Sequence, residues 1–148
     1  MKQLMTILAL VLAALLVSPP ASAQQSPGNA QAVVFQPTAV ANTSVIASND
    51  QANGSWRGAM FAVAVSNFVS GTVTVTVQAK DPVSGNYVTL LASAALAANG
   101  TTLLTIYPGI AVSANVSANT VLPATWRVTL TGASSPSMTV SVSATLEE

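Results

Sequence analysis

A chain of 148 residues with four basic and four acidic side chains, no His and no Cys is poorly equipped for chemistry. Most enzymes need a group that titrates near neutrality, a nucleophile with a base beside it, or a metal cage. A net charge near zero also gives no footprint for nucleic acid, whose binding relies on clustered Lys and Arg.

The first 23 residues read as an export signal. Lys2 supplies a basic start, Leu4 to Val17 is apolar apart from Thr6, Ser18-Pro19-Pro20 breaks any helix, and Ala21-Ser22-Ala23 is a small-x-small cleavage pattern. A membrane span would need roughly 20 apolar residues, so the expectation is a secreted protein, extracellular or periplasmic, with no membrane insertion after cleavage. Past Ala23 the formal charges are Asp50, Arg57, Lys80, Asp81, Arg127, Glu147 and Glu148, three cations against four anions. Without Cys there is no disulfide to staple the fold, and packing alone must hold it. Such a nearly neutral surface carries little repulsion against self-association.

Residues 24–30 are polar, contain Pro27-Gly28 and read as a flexible leader. One domain is expected over 31–148, best defined over 56–146. Gln31 to Gln36 and Thr38 to Ala47 are strand-like and split by Pro37, which favours an edge or a break. Ser48 to Ser55 is loop by composition. In Arg57 to Val65 the residues Phe61, Val63 and Val65 share one face. Thr72 to Lys80 alternates strictly, Val73, Val75, Val77 and Ala79 against Thr72, Thr74, Thr76 and Gln78, the pattern of a half-buried antiparallel strand. Asp81 to Asn86 is a turn, with Pro presetting φ and Gly or Asn accepting positive φ, and Tyr87 to Ala92 returns as the hairpin partner. Ser93 to Ala98 is a strand edge or loop, and Thr101 to Tyr107 is a strand stopped by Pro108-Gly109. Ile110 to Pro123 holds a short helix or a long crossover. Ala124 to Thr131 points Trp126, Val128 and Leu130 inward, Gly132 to Pro136 is turn-like, and Met138, Val140, Val142 and Ala144 alternate with Thr and Ser. Six to eight short strands separated by turn residues predict an all-β protein, a single antiparallel β-sandwich of immunoglobulin-like or jelly-roll-like kind, with a small β-barrel as the alternative.

Candidate sites are few. Asp50 and Asp81 fall in separate loops and Glu147 and Glu148 at a terminus, so no carboxylate pair converges for glycoside hydrolysis. Asn49, Asp50 and Asn53 offer one charge for a cation that prefers several oxygens, and read better as a turn bonding to its own backbone. No metal, cofactor or catalytic residue is expected. Four Asn-x-Ser/Thr sequences, beginning at Asn42, Asn53, Asn99 and Asn115, match the glycosylation pattern, but the bacterial look of the signal argues against glycans. Trp56, Arg57 and Tyr87 are the candidate contact residues, with Tyr107 as the alternative to Tyr87, an aromatic platform for a protein or a carbohydrate. Against that stands packing, with Trp126 filling the core, Trp56 capping its edge and the Arg side chains lying along apolar surface. The first two strand-like stretches can also pair with a neighbour's sheet edge, since a low-charge Thr/Val exterior offers little that blocks edge pairing.

From Arg57 to Leu146 the chain resembles a group of small virion-associated proteins encoded in tailed-phage genomes and prophages. The residues that carry the likeness are Arg57-Gly58, Lys80 to Tyr87 (KDPVSGNY), Thr89 to Ala95, Tyr107-Pro108-Gly109, Ala114-Asn115 and Leu122 to Val128 (LPATWRV). The resemblance implies a β-sandwich serving as a head or tail accessory protein. The export signal departs from that pattern and points to a secreted or surface relative. The sequence therefore reads as an exported, non-catalytic structural or binding protein. Its partner is another protein or a second copy of itself. The alternatives are a bacterial surface or matrix subunit that assembles by strand pairing and, from another class, a secreted hydrolase.

Overall fold

The computed structural model describes residues 30–148. The expected export signal and the leader up to residue 29 lie outside the described residues, and Ala30 already belongs to the first strand. The described chain is all-β, as expected. Its strands are β1 (Ala30–Val40), β2 (Val45–Ala47), β3 (Gln51–Ala52), β4 (Gly58–Lys80), β5 (Tyr87–Ala92), β6 (Gly100–Ile106), β7 (Ser117–Ala118) and β8 (Thr125–Glu147).

Four expected strands are in fact two. Arg57 to Val65 and Thr72 to Lys80 merge into β4, and Ala124 to Thr131 and Met138 to Thr145 merge into β8, each 23 residues long. The two run antiparallel along their whole length, from Gly58 opposite Glu147 to Ala79 opposite Trp126. The residues between the merged halves bend the chain without reversing it. Asn67, Gly71, Ser134 and Ser135 have φ of 52°, 74°, 58° and 54°, and the pairing register slips between Ser66 and Thr72. Residues in this left-handed region re-aim a strand locally, as a bulge does, while pairing resumes beyond them.

The N-terminal segment follows the same track. β1 pairs with the second half of β8, β2 continues opposite Thr131, Leu130 and Thr129, and β3 ends opposite Trp126 and Thr125. Of the edge or break expected at Pro37, the structure shows the edge. β1 runs through Pro37 with register shifts at Val33/Phe35 and Phe35/Thr38, which an edge strand tolerates because its outer N–H groups need no partner. β3 lies inside the expected 48–55 loop.

The bent ribbon is folded double. Phe61 lies eighteen positions before Ala79, the β4 residue opposite Trp126, a path of about 60 Å in a straight strand. Yet the Phe61 and Trp126 rings stand 5.4 Å apart, edge to face at 81°. Two limbs therefore face each other. One holds β1, the second half of β8, the first half of β4, β6 and β7; the other holds β2, β3, the first half of β8, the second half of β4 and β5. The layers are limbs of a single hydrogen-bonded sheet rather than separate sheets, and the sheet is open rather than closed as a barrel. It is mixed because β7 runs parallel to β6.

Between the limbs lie Phe61, Val63, Val75, Val77, Trp126 and Leu130, all at most 1% exposed. Burying such a side chain contributes about 1.5–3 kcal/mol. Residues 110–123 form a crossover and no helix. Its only strand is the two-residue β7, fixed by buried Ser117, whose Oγ accepts from the Ser113 N–H and donates to the Ala111 carbonyl.

Candidate functional site

The polar side of the Thr72–Lys80 alternation places Gln78 opposite Arg127, and the hairpin places Lys80 opposite Tyr87. Three of the seven charged side chains past Ala23 meet there. The Arg127 guanidinium lies 3.3 Å from the Tyr87 ring centroid while its Nε donates to Gln78 Oε1 at 2.9 Å. Lys80 Nζ is 5.6 Å from the same ring and 2.6 Å from Asp50 Oδ2. The Tyr87 hydroxyl donates to Asp50 Oδ1 at 2.6 Å. Asp50, in the loop between β2 and β3, is thereby tied to β4 and β5, and Arg127 ties β8 to the same ring.

The electrostatics follow from these contacts. The hydrogen bond from Lys80, then that from Tyr87, holds the Asp50 carboxyl below its ordinary value of 3.8. The hydrogen bond to Asp50 raises Lys80 above 10.5. Asp81 is lowered by Ser84 and then by the Val83 N–H, both within its own turn. A lowered carboxyl pKa stabilises the fold fully above the unfolded value, and the benefit is lost as pH falls through the folded value. A raised Lys pKa stabilises fully below the unfolded value, and that is lost as pH rises through the folded one. Thermal melts followed by circular dichroism should therefore be level between about pH 5 and 9 and fall below 3.8 and above 10.5. Asp50→Asn should flatten both flanks. An unchanged profile in that variant would show that the pair contributes nothing.

The three candidate contact residues are not brought together. Tyr87 is half-buried, its ring stacked by Arg127. Arg57 is exposed, with its guanidinium 5.9 Å from the Tyr107 ring; the Tyr107 hydroxyl donates to the Glu148 carbonyl. Trp56 is half-buried against the edge of the core. Among the described residues no hydrogen bond or cation–π contact joins Tyr87 to Trp56 or Arg57. Arg57 lies instead beside Tyr107, the alternative aromatic partner.

Asn53 organises the loop beside Trp56, its side chain bonding to nearby backbone as the turn reading expected. Its Oδ1 accepts from the Trp56 N–H at 2.9 Å, and its Nδ2 donates to the Trp56 and Leu122 carbonyls, each at 2.8 Å. Asn53 and Asp50 thus point to different partners, and among the described residues no group of three potential metal-ligating residues occurs. The only sequence signal for Asn53 was an Asn-Gly pair in a loop, which also describes any turn.

A second surface is the outer face of the β1/β6 limb. Val33, Ser143, Ala62 and Leu103 stand side by side across four strands, with Val33 62% and Leu103 50% exposed. Gln31, Thr145, Met60 and Thr105 form the next row. Neither row carries a charge.

No protein-family model, curated protein or solved structure matches the chain.

Stacking of Arg127 on Tyr87 is worth about 0.5–1 kcal/mol at an exposed site. Arg127→Ala should lower unfolding stability by that order in urea titrations, and Tyr87→Phe, which keeps the ring and removes the hydroxyl, should cost less. Equal losses would mean that the bond to Asp50 contributes as much as the stacking.

Proposed function

We propose that this is an exported, non-catalytic structural protein that works through its surface, of the virion-accessory kind to which its KDPVSGNY and LPATWRV stretches are similar. The observation that carries this reading is the division of labour on the surface. The charged groups Asp50, Lys80 and Arg127 are engaged in tying strands together, and Asp81 is engaged in its own turn. Meanwhile two adjacent rows on the outer face of one limb, Val33 to Leu103 and Gln31 to Thr105, carry no charge. A face of this kind can be covered by protein without desolvating an ion. Particles purified from the source culture by density banding should contain the chain in stoichiometric amount. Its presence only in the cell envelope or the free supernatant would overturn the virion role. The second reading, a surface or matrix subunit, is favoured by β1, an edge strand without a charged side chain.

A further inference from the structure

We infer that β1 is an exchangeable strand and that two copies of the chain assemble by trading it, each β1 completing the partner's sheet beside β8. This deepens the assembly reading above by naming the partner, a second copy, and the element that joins it. The fit of the occupant to its groove is already visible within one copy. β1 pairs with β8 from Ala30 opposite Leu146 to Val40 opposite Met138, and it contributes Phe35 and Val40 to the core, at 8% and 0% exposure. An exchanged pair would make the same contacts, so their energy does not favour one form over the other.

The geometry of the connection decides. β1 and β2 run in the same direction along β8, and residues 41–44 between them only follow the bend of the ribbon. If those four residues straighten, β1 leaves its own limb without unthreading any other strand, because among the described residues none pairs with its outer edge. All four are exposed, and their side chains make no hydrogen bond among the described residues. Gly132 packs close beside them, and only the lack of a Cβ there leaves room for the Asn42 carbonyl. β1 carries no charge, so nothing repels it from a second copy. Short connections held in a bend are where strand exchange is favoured.

The chain has no native Cys, so introduced thiols report cleanly. Gln31 faces Thr145 across β1 and β8, within disulfide reach for opposed strand residues. Differently tagged Gln31→Cys and Thr145→Cys chains are co-expressed, exported and oxidised with glutathione disulfide. The expected result is a covalent heterodimer on non-reducing gels, in several-fold excess over the out-of-register pair Gln31→Cys with Ser141→Cys. Heterodimer no more abundant than that control overturns the exchange. So does a predominance of Gln31→Cys homodimers, which would mean intact β1 edges lying side by side. Deleting Asn42-Thr43, so that β1 cannot follow the bend, should convert the folded protein to dimer in size-exclusion chromatography with light scattering, and a folded monomer would count against exchange. Absence from purified particles would sink the virion role and leave this result untouched.

Discussion

Trp126→Ala should lower the unfolding free energy by about 3–5 kcal/mol, the range for removing a buried large aromatic side chain. Against a total of about 5–15 kcal/mol for a domain, that is enough to leave the variant partly unfolded at physiological temperature. The indole is 1% exposed and touches Phe61 edge to face, so the loss combines transfer of a large apolar surface, a cavity, and an aromatic pair worth about 0.5–1.5 kcal/mol beyond its area. Among the described residues Trp126 Nε1 is buried without a hydrogen-bond partner, and a donor left so costs about 1–3 kcal/mol. Trp126→Phe removes that donor along with part of the ring and should be much milder than Trp126→Ala. The informative measurement is a double-mutant cycle with Phe61→Ala by urea denaturation. The two residues sit on opposite limbs, so a coupling of about 0.5–1.5 kcal/mol reports directly that the ribbon is folded double. Strict additivity would show that the limbs do not meet there.

That contact also marks how far the sequence is legible. The alternation of Thr72–Lys80 and of Met138–Ala144 displays strand, face and burial without ambiguity, because period two with β-branched residues has few other solutions. Trp126 is recognisable as core from its place in the inward set with Val128 and Leu130. The merging of strands is not legible. Gly132 to Pro136 has the composition of a reversing turn, and only the pairing partner decides that it bends instead. Residues 67–69 lie opposite Met138 alone and residues 134–136 opposite Gly71 alone, so each strand carries extra residues in turn and pairing resumes beyond. Pro37 leaves two solutions open, edge or break: it forbids one hydrogen bond, and the edge position makes that bond unnecessary. The Tyr87 cluster has no local signature at all, since Asp50 and Arg127 stand 37 and 40 positions from Tyr87.

Gly71→Val should be the most damaging single change outside the aromatic core. Gly71 has φ of +74°, a conformation that costs a residue with a Cβ about 1–2 kcal/mol, and more when the side chain is β-branched. Its surroundings add a second penalty, for a Cβ there would lie 2.5–2.8 Å from the Pro136 Cα and N and the Ala133 carbonyl oxygen. These are backbone atoms of the opposite strand and cannot swing aside, so overpacking of about 1–3 kcal/mol is expected on top. Gly85 separates the two contributions. Its φ is +73°, nearly the same, but nothing lies within 4 Å of its Cβ position. Gly85→Ala should therefore cost only the conformational part, and Gly71→Ala that part plus the collision with β8. Urea titrations of the two Ala variants give the difference. A difference near zero would mean that β4 and β8 do not press together at the bend, and that the doubling of the ribbon rests on the interlimb core alone.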